Sequence, residues 1–201
     1  MIAVVDYGMG NRRSVEKALA HVGAASVVTS DVSDADAIIL PGVGAFPEAM
    51  RNLERTGLGE VLIERAAAGV PLLGICLGMQ LLFESSTEHE GAPGLGILPG
   101  TVTRLQSPRL PHIGWNLVTF TRSSSLTEGL GESAAFYHVH SFACRPSDEA
   151  DVVGESEYGE RFCSVIERDN VMAAQFHPEK SSMDGLRMLR NFAELATMAV
   201  A

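Results

Sequence analysis

The sequence contains little positive charge. Of its 201 residues, 15 are Lys or Arg and 25 are Asp or Glu, which gives a formal net charge of −10. Because a nucleic-acid-binding protein needs clustered cations to contact phosphates, this composition argues against a nucleic-acid partner. With 46% hydrophobic and 20% charged residues, the chain has an ordinary globular composition and not a disordered one. Its length fits a single domain over residues 1–201.

Cysteines are few, and long hydrophobic runs are lacking. Cys76, Cys144 and Cys163 cannot all pair with one another, and the sequence has no Asn-x-Ser/Thr glycosylation site. These features predict a reducing, cytoplasmic location. The longest apolar run, residues 70–83, is interrupted by a proline and two glycines and is shorter than the about 20 residues that cross a bilayer. Residues 1–6 place an acid where a secretory signal is apolar. We therefore expect no membrane segment.

Short apolar runs alternate with helical patterns in the first half of the chain. Residues 2–5, 37–40 and 71–75 are continuous apolar runs, and Val15 and Leu19 share the face of a helix between the first two. Continuous rather than alternating apolar strands are typical of a parallel sheet that is covered on both faces.

The second half is richer in short β-prone runs, several of them separated by turn residues. We expect these runs to form hairpins added to the same sheet, and residues 181–199 to form a closing helix. The predicted fold class is therefore α/β, with three layers: a mostly parallel, flavodoxin-like central sheet flanked by helices, with added antiparallel hairpins. The β-prone runs are residues 101–105, 117–121, 134–139, 151–154, 163–166 and 171–176.

A Gly-x-Cys-x-Gly sequence occupies residues 74–78, between the third predicted strand and the next helix. The same spacing around serine forms a nucleophile elbow, a sharp strand-to-helix turn in which the flanking small residues leave room for the central side chain. A thiol at the start of a helix is also favoured as thiolate. Cysteine is equally common in hydrophobic cores, so the pentapeptide alone leaves both interpretations open.

A histidine and a glutamate follow the last predicted strand. His177 and Glu179 are separated by Pro178, and residues two apart in an extended segment face the same way. The carboxylate can then hold one imidazole nitrogen while the other accepts a thiol proton. Because strand ends of one parallel sheet lie side by side, His177 and Cys76 are expected to meet.

Two further groups of residues have weaker signals. Pro-Gly-Val-Gly at residues 41–44 is either a simple turn or, at the same sheet edge as Cys76, a source of backbone N–H groups for an oxyanion. His138 and His140 have a spacing that suits metal ligands, but no Cys or carboxylate partners accompany them. We predict no metal site. No phosphate-binding or dinucleotide fingerprint occurs, so no cofactor is predicted.

Residues 74–80 together with residues 175–181 resemble the class I (triad) glutamine amidotransferases. The resemblance implies that Cys76 is acylated by glutamine, that His177 is its base and later the acid for departing ammonia, and that Glu179 orients His177. It also implies an oxyanion hole and a glutamine pocket. Their residues would be Gly42, Val43, Gly44 and Leu77 for the oxyanion hole, and Gln80, Ser141 and Phe142 for the pocket. His138 and Phe142 stand where the family commonly has Phe and Tyr.

Residues 6–11, 41–44 and 111–116 are similar to one group in that family, the glutaminase subunits that pass ammonia to a separate (β/α)₈-barrel cyclase. The resemblance implies a heterodimer with such a cyclase. Two alternatives stay open: the glutaminase of another synthase, acting for pyridoxal phosphate, anthranilate or GMP, and a catalytically silent scaffold. The residues implied to face the cyclase are Asn11, His112, Ile113, Trp115 and Asn116.

Overall fold

Two β-sheets organise the chain, which a computed structural model describes over residues 1–198. The large sheet has nine strands: β1 (Ile2–Val5), β2 (Ser26–Thr29), β3 (Ala37–Gly42), β4 (Leu72–Cys76), β8 (His112–Phe120), β9 (Ser133–His140), β11 (Val152–Glu157), β12 (Arg161–Arg168) and β13 (Val171–Ala174). The small sheet has four strands: β5 (Phe83–Ser86), β6 (Ala92–Pro93), β7 (Leu98–Arg104) and β10 (Phe142–Pro146).

Five strands of the large sheet run parallel, in the order β2-β1-β3-β4-β13. Strands β1, β3, β4 and β13 are buried throughout, as their continuous apolar sequences predict. The register pairs Gly42 at the end of β3 with Cys76 at the end of β4. The carboxyl ends of β3, β4 and β13 therefore lie side by side, and the segments that follow them meet at one edge of the sheet.

Helices cover both faces of this parallel half, which confirms the three-layer arrangement. The helices are α1 (Arg12–His21), α2 (Phe46–Thr56), α3 (Leu58–Ala67), α4 (Leu77–Leu81) and α5 (Ser182–Met198). Helices α1 and α5 pack in one core cluster with Val4 and Ile39. Helices α2 and α3 pack in another with Val5 and Leu40. The predicted closing helix begins one residue later than expected, and its last predicted residue, Ala199, lies outside the described residues, as does the end of the predicted domain.

The other four strands, β12, β11, β8 and β9, extend the large sheet in antiparallel pairs, so the sheet is mixed. The expectation that every β-prone run of the second half joins this sheet is wrong for residues 101–105. Most of that run lies in β7, in the small sheet, which packs Leu98, Val102 and Cys144 into the core on the α2–α3 side. These apolar side chains are therefore buried in the core, although their strands do not belong to the large sheet.

No helix among residues 1–198 is both long and apolar enough to span a membrane. All three cysteines are unpaired and buried.

Candidate active site

Cys76 occupies a strained turn between β4 and α4. Its backbone has φ 54° and ψ −109°, a positive φ that L-residues rarely adopt. The glycines on either side are required by space: a Cβ on Gly78 would lie 1.8 Å from the carbonyl oxygen of Leu40, and one on Gly74 would lie 2.9 Å from the backbone of Met79. The sequence prediction of an elbow is therefore confirmed in its geometry.

We expect Gly78→Ala to destabilise the protein by about 3 kcal/mol or more, because the methyl group must displace the backbone of β3. Gly59→Ala is the control, because Gly59 lies within α3 and the closest atom to its Cβ would be the flexible end of Leu95, at 3.3 Å. Equilibrium denaturation by urea measures both. A Gly78→Ala protein with the wild-type midpoint would contradict the close approach of the elbow to β3.

His177 and Glu179 form a hydrogen-bonded pair beside Cys76. Nδ1 of His177 lies 2.9 Å from Oε1 of Glu179. His177 lines the same cavity as Cys76, whose Sγ lies 3.8 Å from the carbonyl oxygen of Val139. Both the imidazole and the carboxylate are almost completely buried. The two residues do not lie along an extended segment as the sequence argument assumed, because Pro178–Lys180 forms a 3₁₀ turn. This turn brings the carboxylate back to the imidazole.

The electrostatic environment keeps the His177 ring charged. Burial by itself would lower the pKa of His177, but the interactions of the ring with Cys76 and Glu179 outweigh it and raise this pKa to about 10. A protonated imidazole beside a thiol favours the thiolate, which is the nucleophilic form. Burial raises the pKa of the other two cysteines, Cys144 and Cys163, and so favours their neutral thiol form.

Asn11 contacts the same carboxylate. Its backbone is left-handed, with φ 77°, and its Nδ2 donates to Oε1 of Glu179 at 2.7 Å. Nδ2 also lies 3.3 Å from Nδ1 of His177. Since that nitrogen carries the proton it gives to Glu179, the carboxylate is the acceptor of the Asn11 amide. Asn11, which the resemblance assigned to the partner interface, thus lies against the acid of the triad.

The predicted oxyanion turn adjoins the elbow. Val43 and Gly44 share a cavity wall with Cys76 and Leu77, and Gly44 has φ 115°. Gly42 does not line this cavity. It lies at the end of β3, where a Cβ would lie 2.5 Å from the hydroxyl oxygen of Tyr7.

The predicted pocket residues surround a cavity of about 280 Å³ next to Cys76 and His177. Gln80, Ser141 and Phe142 all line it, and Nε2 of Gln80 donates to the Phe142 carbonyl at 3.0 Å. Sequence reasoning missed five further lining residues: Glu88, Pro111, Val139, His140 and Lys180. Glu88 lies in the connection between β5 and β6 of the small sheet, whose presence at this site no local pattern indicated. Its carboxylate accepts the N–H of Phe46 at 2.8 Å.

The residues predicted to face a partner divide between the two faces of β8. Ile113 and Trp115 are 58% and 56% exposed, and Leu117 continues their row. His112 is only 3% exposed, so its assignment to an interface is wrong for this structure. Asn116 lies on the same inner face, where its amide contacts His112. The period-2 alternation of a strand explains the division, because neighbouring residues point to opposite faces.

The chain matches the family model "Glutamine amidotransferase class-I" over residues 3–195. Solved structures share the fold: one described as a glutamine amidotransferase aligns with a TM-score of 0.78 at 23% identity, covering 98% of this chain and 100% of that one. The PurLQS structure from Thermotoga maritima aligns with a TM-score of 0.75 at 21% identity, covering 96% and 97%.

Curated relatives are much more similar in sequence. An imidazole glycerol phosphate synthase subunit HisH from Aquifex aeolicus is 52% identical, with 96% of both chains covered. A protein of the same name from Moorella thermoacetica is 50% identical, with 98% of this chain and 96% of the relative covered. The chain therefore belongs to the class-I glutamine amidotransferases, and within them to the HisH family.

Proposed function

We propose that Cys76, His177 and Glu179 hydrolyse L-glutamine to glutamate and ammonia, and that the ammonia passes to a cyclase subunit that forms imidazole glycerol phosphate and an aminoimidazole carboxamide ribotide in histidine biosynthesis. The observation that carries the catalytic assignment is the buried His177–Glu179 hydrogen bond, with His177 lining the same cavity as the strained Cys76 elbow. The HisH relatives support the pathway. A cytoplasmic location is part of the same proposal.

In the first half of the reaction, the Cys76 thiolate attacks the carboxamide carbon of glutamine. The negative charge that develops on oxygen is held by backbone N–H groups of the Val43–Gly44 turn and of Leu77. As the carbon–nitrogen bond breaks, the imidazolium of His177 gives its proton to the departing nitrogen, and ammonia leaves. The product on the enzyme is a glutamyl thioester of Cys76.

In the second half, neutral His177 removes a proton from water, and the resulting oxygen attacks the thioester. Collapse of this intermediate breaks the carbon–sulfur bond, which releases glutamate and restores the thiolate beside a protonated His177. Glu179 holds the Nδ1–H of the ring throughout, so that the other nitrogen always faces Cys76.

The cavity carries groups suited to the two ends of glutamine. Glu88 supplies a carboxylate for the α-ammonium group, and the adjoining elbow supplies the thiolate for the carboxamide. Gln80 is held between the Phe142 carbonyl and Oε1 of Gln175, at 3.0 and 3.1 Å, so it shapes the cavity wall beside the elbow.

The outer patch, formed by Ile113, Trp115 and Leu117, is the proposed contact with the cyclase. Each of these side chains is more than half exposed, and they follow one another on one face of β8. Trp115 pairs across the strands with Tyr137, and the two rings meet edge to face with centroids 6.2 Å apart. A row of large exposed apolar side chains is typical of an interaction surface.

We expect Trp115→Ala to weaken binding of the partner subunit by about tenfold or more, because aromatic residues dominate interface energies. Titration followed by calorimetry measures the affinity. Ile63→Ala is the control, since Ile63 is an exposed apolar residue of α3, outside the patch. Equal losses in both variants, or none in Trp115→Ala, would refute the assignment of the patch. Trp115 is the only tryptophan, so its emission reports the same event directly.

The function itself is tested by glutamate release from the purified chain together with its partner subunit and the partner's nucleotide substrate. The proposal expects one glutamate for each imidazole product. Glutamate release without transfer of the glutamine amide nitrogen to the imidazole product would refute transfer of ammonia to the partner. Absence of glutamate would refute the hydrolysis.

A further inference from the structure

Three buried histidines lie together behind the outer patch. His112 comes from β8, and His138 and His140 from β9, with His112 paired to His140 in the strand register. Each offers a ring nitrogen within 4.8 Å of those of the other two. Nε2 of His140 lies at the centre, 3.1 Å from Nδ1 of His112 and 3.3 Å from Nδ1 of His138. The proposed reaction uses none of the three.

The protons on His140 follow from its neighbours. Its Nδ1 lies 2.9 Å from the carbonyl oxygen of Phe142. Because a carbonyl only accepts, Nδ1 must carry hydrogen. Burial lowers the pKa of His140 to about 3, so the ring is neutral and has a single proton. Its Nε2 is consequently an acceptor.

The protons on His112 follow in the same way from Asn116. The orientation of the Asn116 amide is fixed, since its Oδ1 accepts the N–H of Leu117 at 2.8 Å and its Nδ2 donates to the carbonyl of Glu157 at 3.0 Å. The same Nδ2 faces Nε2 of His112 at 3.4 Å, so this nitrogen is an acceptor. His112 therefore carries its proton on Nδ1 and donates it to His140.

This proton assignment does not suit a metal ion. A site built from the three histidines would need a free lone pair on each converging nitrogen. Nδ1 of His112 carries a hydrogen instead, and moving that hydrogen to Nε2 would make Nε2 a donor that faces the donor Nδ2 of Asn116. The cluster is better described as a hydrogen-bonded chain in which every donor points the same way.

The chain ends in the wall of the active-site cavity. The Phe142 carbonyl that accepts from His140 also accepts from Nε2 of Gln80. The cavity is lined by His140, Ser141 and Phe142, where the polypeptide crosses from β9 of the large sheet to β10 of the small sheet. The position of this crossover thus depends on two hydrogen bonds to the Phe142 carbonyl, one from His140 and one from Gln80.

We propose that His112 and His140 are positioning residues for glutamine: the chain from Asn116 through His112 and His140 to the Phe142 carbonyl holds the crossover in the shape that binds substrate. The inference rests on the proposed glutaminase function. His112 and His140 take no part in bond breaking, so they act on substrate affinity and not on the chemical step. The neutral state of both rings suits the role, because burial lowers the pKa of each.

The kinetic test uses the full chain with its partner subunit and compares three variants. His112→Phe breaks the hydrogen-bonded chain between Asn116 and His140. We expect KM for glutamine to rise roughly fivefold or more, the effect of one lost hydrogen bond, with kcat within about twofold. His112→Asn keeps a donor at the place of Nδ1 and should recover part of the loss. His138→Phe is the matched control: it removes the 3.3 Å contact with Nε2 of His140 but leaves the links from His112 to His140 and from His140 to Phe142 in place. Its ring packs against Phe162 and Phe176, and the variant should leave KM within about twofold.

An equal rise of KM in His138→Phe, an unchanged KM in His112→Phe, or a fall in kcat alone would overturn the proposal. A second measurement needs no substrate. Nitrogen-15 NMR of the histidine rings should show the Nδ1–H tautomer for both His112 and His140, whereas free imidazole side chains favour Nε2–H. An Nε2–H tautomer at either ring would also overturn it. If the protein failed to hydrolyse glutamine at all, the proposed function would be refuted. The tautomer measurement would still test the hydrogen-bonded chain.

Discussion

Replacing Cys76 with serine is expected to lower glutamine hydrolysis by at least about 10⁴-fold while binding of the partner subunit is preserved. The hydroxyl is almost the size of the thiol but is not ionised at neutral pH, so the group that attacks the carboxamide is lost. The strained backbone at Cys76 is unaffected by the exchange, and the fold is retained. Glutamate release measures the first effect, and co-purification with the partner measures the second.

The matched control for this experiment lies in the other two cysteines. Cys144 and Cys163 are buried, and burial raises the pKa of each thiol, so neither offers a thiolate at neutral pH. Cys144→Ser and Cys163→Ser should retain turnover in whatever fraction of the protein folds. A glutamine-derived electrophile should label Cys76 alone. Labelling of Cys144 or Cys163 in place of Cys76 would refute the assignment of the nucleophile.

Glu179→Gln and His177→Asn are expected to lower glutamine turnover by about 10²- to 10⁴-fold each, with His177→Asn at least as severe. A neutral amide in place of the Glu179 carboxylate cannot balance the positive charge of His177, and it can present a donor to Nδ1, which favours the wrong tautomer. Because Glu179 acts only through His177, the double variant should be little slower than the slower single variant. Steady-state kinetics of the three proteins measures this.

The contrary result would be two losses that multiply. In that case Glu179 and His177 would contribute independently, and the chain from Glu179 through His177 to Cys76 would be wrong even if Cys76 remained the nucleophile. Asn11→Ala offers a milder probe of the same carboxylate, since its amide donates to Glu179 at 2.7 Å and takes no part in proton transfer.

The parallel half of the fold follows directly from the sequence. Strands buried on both faces require continuous apolar runs, and residues 2–5, 37–40 and 71–75 have them. Strand β2 escaped notice because Ser26–Thr29 lies at the edge of the sheet, where partial burial relaxes the demand for apolar residues. The small sheet could not be predicted, because its pairing of β7 with β10 joins residues about forty positions apart and leaves no local signal.

The site was predictable where chemistry demands a local pattern. Because the elbow needs glycines at 74 and 78 for space, it can be recognised from the sequence. The contact between Asn11 and Glu179 joins the two ends of the chain, and only the meeting of the β1 and β13 ends at one edge of the sheet reveals it. The same holds for His112, whose inward direction depends on the register of β8 with β9.

The measurement that tests the account most directly is mass spectrometry of the enzyme during turnover. The full chain and its partner subunit would be mixed with glutamine, quenched in acid and digested. The account predicts a glutamyl adduct on the peptide that contains Cys76, absent from the Cys76→Ser protein and from enzyme quenched before glutamine is added. Steady glutamate release by the Cys76→Ser protein, or an adduct on a peptide containing Cys144 or Cys163 instead, would contradict it.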